Sequence, residues 1–369
     1  MAQDTRIQVD GFGFLPAKFC EIENTRKIVQ RYTLTNKNNA SVQLISWGAG
    51  IQSIRVPNKN NILGDVVLGY DSLQDYLENR YIGRIIDKVD NRFSDGIFRN
   101  DKNNYNQTDP EFDSANWESH VLGNQVIMSF QYSGHMLIQV KYSWTNENEL
   151  HINIRARSTK STPANFTNYS FFNLAGHATG PKELNNHIVT INADKRKTVN
   201  IENNLPSETI LPVDSTAYDF RRPVQLNRKK LYSIPGGGFN NNLCISTPSF
   251  LSYRFHARIL HPNSGRFLEV YSNQPDLHFD TGNNFPLEKR IYSSNLENCP
   301  KGKNQGAKLE NQKYEMRCKN GALYRRHGAF ALIPQNYSNP VNKKNFSQYI
   351  LQPGNVYSHD MTYKFGVLE

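Results

Sequence analysis

The sequence predicts an all-β protein, a large twisted β-sandwich of antiparallel sheets. Three observations carry this: apolar residues recur with period two, turn residues bound the runs, and no long stretch shows the 3.6-residue period of a helix. The alternation is clearest where Ile138, Val140, Tyr142 and Trp144 stand against polar Gln139, Lys141 and Ser143, and Leu150, Ile152, Ile154 and Ala156 repeat it after a TNENE turn. Successive side chains on a strand point to opposite faces, so this is an antiparallel hairpin with one buried face. Tyr253, Phe255, Ala257 and Ile259 alternate in the same way. RYTLTN, SVQLISW, IQSIRVP and RFLEVYS add β-branched and aromatic runs punctuated by Asn, Gly and Pro. The lack of helices between strands argues against a parallel α/β design. No low-complexity linker divides the 369 residues, which predicts one domain over 1–369.

Composition bounds the function. With 37% hydrophobic and 11% aromatic residues the chain can bury a large core. No run approaches the eighteen or so apolar residues of a membrane helix, so no membrane partner is expected. The start, MAQDTRIQVD, lacks the features of a signal peptide. As written the protein reads as cytoplasmic, and as extracellular if a leader has been removed, so the compartment stays open. Cys20, Cys244, Cys299 and Cys318 are too scattered for a disulfide framework or a zinc site, and no metal is expected. Six N-x-Ser/Thr sequons begin at Asn39, Asn106, Asn165, Asn168, Asn336 and Asn345; in so asparagine-rich a chain most read as coincidence. The net charge of +10 favours anionic partners in general. A nucleic-acid reader needs a basic helix, a zinc finger or a basic groove with stacking aromatics, and none is present. Residues 284–326 stand apart as a basic insertion with ten Lys/Arg against four Glu. Such a run reads as a solvated loop that offers a surface to an anionic partner.

The segments SVQLISWGAGIQSIRVPNKNN, GDVVLGYDSLQDYL, NFTNYSFFNLAGH, GRFLEVYSNQPDLHFDTGN, QNYSNPVN and LQPGNVYSHDMTYKF follow one another from about residue 28 to the C-terminus. In order and spacing they resemble the aldose 1-epimerase (galactose mutarotase) family. The resemblance implies a galactose mutarotase-like supersandwich with a sugar cleft on one concave sheet face, and no cofactor. Mutarotation opens and recloses an aldose ring, which takes a general base at the anomeric hydroxyl and a general acid at the ring oxygen. In the family a glutamate is the base, a histidine in an N-H-S/T-Y-FNLAG motif the acid, and a second histidine in an LHGG motif assists.

All three positions depart here. Tyr169 stands at the acid histidine, and a phenol with an ordinary pKa of about 10 exchanges protons poorly at neutral pH. Ile333 stands at the glutamate and has nothing to titrate. YNQTDPEFDSANW, between Tyr105 and Trp117, lacks the LHGG stretch, which implies a shorter cleft rim. The family's sugar-gripping aspartate falls on Asn240, which loses the charge that strengthens such hydrogen bonds, and its glutamine falls on His278. Asn91 and Arg92 match its substrate-binding pair, although Asp87 and Lys88 replace the preceding Gly-Arg.

Tyr169 and Phe171, two apart, share a face and read either as core or, as the resemblance implies from counterparts that line the cleft, as part of the pocket. His177 reads as a structural histidine in preference to a replacement acid. His278 and Asp280 also share a face, which makes them a candidate dyad if both point into the cleft and a strand-stabilising pair if both point to solvent. Cys299 and Cys318 both belong to the extra segment that the resemblance leaves out and are expected to lie close enough to bridge, closing the basic insertion if the protein lives in an oxidising compartment.

The function so implied is a mutarotase-like protein that binds a sugar, a glycoside or an aromatic small molecule without interconverting anomers. The alternative is an enzyme of altered substrate or chemistry in the same cleft, with His278, Asp280 and Tyr169 as its candidate groups. A third reading is an interaction protein acting through the basic loop.

Overall fold

The structure, a computed structural model, describes residues 5–16, 27–78, 81–87, 98–100, 103–105, 112–132, 134–199, 206–246, 252–286, 316–337 and 350–368. Strands dominate, and every strand pairing among the described residues is antiparallel. Three sheets carry the fold. The first is an N-terminal meander of Arg6–Phe14, Ile28–Thr35, Ser41–Ile45, Gly50–Pro57 and Leu63–Asp65. The second has nine strands, with Arg266–Ser272, Tyr357–Val367, Glu149–Ser158 and Met136–Trp144 adjacent near its middle. The third has the spatial order Pro206–Pro212, Ala193–Val199, Asn240–Ile245, Asp276–Asp280, Ala331–Gln335.

The expected hairpin is present, with Ile138 opposite Ala156 and Trp144 opposite Leu150. Its buried face, Ile138, Val140, Tyr142, Leu150 and Ile152, joins Leu34, Val42 and Ile54 of the meander and Leu277, Phe279 and Leu332 of the third sheet in one hydrophobic cluster. Burying each such side chain contributes about 1.5–3 kcal/mol, which is what binds the sheets face to face. Polar tips in this core find backbone partners: Tyr142 Oη donates to the Ala49 carbonyl at 2.6 Å, and Trp144 Nε1 donates to that of Ala40 at 3.1 Å.

Two expectations need correction. The alternation through Tyr253, Phe255, Ala257 and Ile259 breaks, because the pairing with Arg266–Ser272 shifts register between Phe255 and Ala257. The extra residue reverses the phase. Tyr253 is therefore exposed and Phe255 half-exposed, while His256 is buried beside Ala257 and Ile259.

The C-terminal end of the basic insertion is not a solvated charge run either. Lys319 is 3% exposed, and its ammonium donates to Asp65 Oδ2 at 2.6 Å, the Val67 carbonyl at 2.7 Å and the Gln52 carbonyl at 2.9 Å. Arg326 donates to the Gly236 carbonyl at 2.6 Å. Cys318 is a buried free thiol whose Sγ donates to the Met316 carbonyl at 3.3 Å, and Cys299, its expected partner, lies outside the described residues. The rest of the insertion from Leu287 to Glu315 lies outside them too.

Sequons Asn165, Asn168 and Asn336 are buried, so none of the three can carry a glycan in the folded protein.

Candidate functional site

Period two splits the Asp276–Asp280 strand between the two faces of the third sheet. Leu277 and Phe279 enter the main core, while Asp276, His278 and Asp280 point the other way. Strand register then places residues in rows across that second face. Asn240 lies opposite Asp280, which lies opposite Ala331; Asn242 opposite His278, which lies opposite Ile333; Cys244 opposite Asp276, which lies opposite Gln335. A second hydrophobic cluster covers part of this face and includes Phe171, Tyr324, Ala329, Ala331 and Ile333, with Tyr169 and Phe285 packed against it.

The segment Asn168–Phe172 is laid over the face by backbone bonds. Gly83 N–H donates to the Tyr169 carbonyl, Leu68 N–H to that of Phe171, and Phe172 N–H to that of Phe330. Tyr169 and Phe171 fall on one side as expected, their rings edge to face at 5.2 Å, with Phe285 4.8 Å beyond Phe171. Tyr169 is half-buried and its hydroxyl donates to Asp280 Oδ2 at 2.9 Å. The other carboxylate oxygen, Oδ1, accepts from Gly282 N–H at 2.7 Å.

His278 faces the same side but takes a different partner, with Nδ1 2.6 Å from Asn242 Oδ1. The His278–Asp280 pair is thus on the buried side and not on a solvent face. The hydrogen bonds of its members include those to Asn242, Tyr169 and the Gly282 amide. Ile333 is 0% exposed within the apolar cluster.

Around this buried floor runs a more open rim of exposed Asn240 and Asn284 and half-buried Asn283, Tyr169 and Phe285. Its shape depends on a glycine run. Gly238 has φ +146°, and a Cβ there would sit 2.1 Å from Asn283 Oδ1 and 2.7 Å from His327 Nε2, so only glycine fits. Arg326, bonded to Gly236, clamps the same run to the loop leading into Ala331–Gln335.

Further along the face Asp276 is fully buried with Lys197 Nζ 3.7 Å away. Burial, with the nearby Asp276 charge, pushes the Cys244 thiol up to about 12, so it stays protonated and unreactive. His177 is buried with Nδ1 3.0 Å from Tyr324 Oη, and burial and the Lys319 charge lower its pKa. Its contacts are those of a structural histidine. Asp87 Oδ1 accepts from Asn165 N–H at 3.1 Å; Lys88, Asn91, Arg92 and the deleted rim at 106–111 lie outside the described residues. No group of three or more His, Cys, Asp or Glu among the described residues is placed to hold a metal ion, and none of their helices is long and apolar enough to cross a membrane.

Sequence reasoning missed the Tyr169–Asp280 bond. The available signal was two unusual residues, Tyr169 within the NYSFFNLAG run and Asp280 within LHFDTG, each noted separately. Lys319–Asp65 and Lys197–Asp276 left no sequence signal.

The architecture is that of the mutarotase-like β-sandwiches. An aldose epimerase homologue from C. elegans superposes with a TM-score of 0.74 at 22% identity, over 92% of this chain and 100% of its own. A galactose 1-epimerase from Lactobacillus acidophilus gives 0.71 at 18% identity, over 99% and 100%. The chain belongs to the aldose 1-epimerase family, whose profile matches residues 30–364. It is 34% identical to the galactose mutarotase of Homo sapiens across 95% of this chain and 98% of that one, and 33% identical to that of Rattus norvegicus across 95% and 97%.

Proposed function

We propose that this protein binds a sugar or glycoside on the Asp276–Asp280 face and does not interconvert its anomers through the groups the family uses. The supporting observation is the pairing of a hydrogen-bonding floor, Asp280, His278 and Asn242, edged by exposed Asn240, with an aromatic wall, Tyr169, Phe171 and Phe285. Carbohydrates present hydroxyls at their edges and apolar C–H faces, which suits a pocket of apolar walls and a few fixed polar groups. The absence of turnover rests on Ile333: at 0% exposure inside an apolar cluster, it provides no base where the resemblance places one. Losing a positioned acid or base costs about 10² to 10⁴ in rate, and both family positions are altered.

Calorimetric titration with D-galactose, D-glucose and 4-nitrophenyl β-D-galactoside should detect binding, tightest for the aryl glycoside. Polarimetry with fresh α-D-galactose should follow the spontaneous rate. Turnover on the order of 1 to 10³ per second would refute the non-catalytic part of this proposal. A second reading, an epimerase of altered chemistry, is favoured by one observation, the hydrogen bond that joins the Tyr169 phenol to the Asp280 carboxylate. Accelerated polarimetry that Asp280→Asn abolishes would establish it instead.

A further inference from the structure

We infer that this chain forms a two-fold dimer through the Arg6–Phe14 strand, which pairs antiparallel with the same strand of a second copy about Gln8 and so joins two five-stranded sheets into one. The inference is independent of the sugar-binding function proposed above.

The first support is an unguarded edge. Arg6–Phe14 is the outermost strand of its sheet, and Ile28–Thr35 is its one strand neighbour among the described residues. A row of outward N–H and C=O groups is a template for another strand, which is why natural sheets blunt their edges with short strands, lysine, proline or a cover. Most edges of the three main sheets here obey that rule. Leu63–Asp65 and Val224–Gln225 have three and two residues, Pro206–Pro212 begins and ends in proline, and Ala331–Gln335 contains Pro334 and is buried throughout. Glu118–Leu122 is five residues long. Arg6–Phe14 runs for nine residues, RIQVDGFGF, with neither lysine nor proline, and its bulge falls only at Gly11–Gly13.

The second is the direction of the backbone groups. Gln30 turns both of its own toward Ser46, its carbonyl accepting from Ser46 N–H and its N–H donating to Ser46 Oγ. Backbone direction alternates along a strand, so Arg31 and Thr33 turn theirs toward Asp10 and Gln8, their partners on Arg6–Phe14. Ile7 and Val9 between and beside these therefore direct N–H and C=O away from the sheet. On the side-chain level Ile7 and Val9 lie opposite Leu34 and Tyr32, which belong to the main core. Ile7 packs against that core, whereas Val9 is 51% exposed, an apolar residue at an edge with nothing beyond it.

The third is self-complementarity. A two-fold pairing centred on Gln8 sets Ile7 opposite Val9 of the second copy, where the two exchange both backbone bonds and extend the apolar face, and sets Arg6 opposite Asp10 on the other face. Symmetry makes each pair occur twice. Asp10 is held by Arg31 of its own sheet and its side chain is 53% exposed, so Arg6 of the second copy completes an Arg–Asp–Arg row. Centring on Ile7 would set Val9 opposite Thr5, centring on Val9 would set Asp10 opposite Gln8, and centring on Asp10 would bring the two carboxylates together. Only the Gln8 register matches apolar with apolar and charge with opposite charge.

Sedimentation velocity of the full chain between about 1 and 200 μM should show a monomer–dimer equilibrium with Kd of about 1–100 μM, weak because a single strand ladder is a small interface. Val9→Pro removes an outward N–H and spares the ladder to Ile28–Thr35, so it should stay monomeric at about 200 μM with an unchanged far-ultraviolet circular dichroism spectrum. Arg6→Glu and Asp10→Lys should each raise Kd about tenfold by setting like charges opposite each other, and Arg6→Glu/Asp10→Lys should return to within about threefold of the parent. A parent that stays monomeric leaves the edge to solvent or to another extended segment and overturns the inference. So does a dimer that persists in Val9→Pro, a double charge variant no tighter than its singles, or growth beyond two copies, which a closed two-fold pairing forbids.

Discussion

Replacing Lys319 by alanine decides whether the end of the basic insertion is a solvated charge run or part of the folded interior. All three ammonium hydrogens are engaged, by Asp65 Oδ2, the Val67 carbonyl and the Gln52 carbonyl, and Asp65 also accepts from Ser53 Oγ at 2.8 Å. Burial pulls the Lys319 pKa down, and the Asp65 charge beside it works in the opposite direction. Removing one partner of a buried ion pair costs about 3–5 kcal/mol, because the other charge is left without compensation. An exposed lysine costs no more than about 0.5 kcal/mol. With an unfolding entropy of about 2.1 cal/mol/K per residue, a 369-residue chain loses about 1 °C of Tm for each 0.8 kcal/mol. Scanning calorimetry should therefore show Lys319→Ala melting about 4–6 °C below the parent. The double variant Lys319→Met/Asp65→Leu should lose clearly less than the sum of its singles, because each single change strands the other charge. A shift under about 1 °C, or strict additivity in the double variant, would refute the buried-pair argument.

Acid should destabilise the fold well before the carboxylates titrate. Burial holds His187 and His256 down to about 3 and His359 to about 4, whereas the same side chains in the unfolded chain titrate near 6.5. Between these values the unfolded state binds more protons, so stability is complete above about pH 6.5 and falls as the pH drops through the window. At pH 5.5 each histidine costs about 1.4 kcal/mol, or about 4 kcal/mol for the three, and equal urea midpoints at pH 7.5 and 5.5 would contradict this. Phe171→Ala should cost about 3–5 kcal/mol, read from the urea midpoint, because it opens a cavity between Tyr169 and Phe285. Arg326→Ala should raise Kd for the aryl glycoside several-fold with Tm within about 1 °C of the parent, since the lost bond to Gly236 shapes only the rim beside Asn240.

The strands were legible because burial on one face imposes period two, and the 138–156 hairpin pairs in the register its sequence implies. The bulge at Phe255–Ala257 was not, since one inserted residue reverses the phase without altering composition. Lys319 was misread for a related reason. Its partner Asp65 is 254 residues away, and a run of charges gives no local sign that one member turns inward. For the site, the family resemblance placed Tyr169, Asn240, His278 and Ile333 one at a time, and the third sheet brings all four onto or over one face. What a residue-by-residue comparison could not supply was which of them touch.

The expected His278–Asp280 dyad shows why contact is the harder part. Residues two apart on a strand do share a face, but their Cα atoms are about 7 Å apart and their side chains stand roughly parallel, so each reaches a neighbouring segment more readily than its own strand-mate. Asn242 lies directly across from His278 and takes its Nδ1; Tyr169 is laid over Asp280 and takes its Oδ2. Because a carbonyl oxygen only accepts, the bond to Asn242 Oδ1 makes Nδ1 the donor. Each member of the pair is thus held by a different segment of the chain, so a shared face alone did not give the partners that the fold supplies.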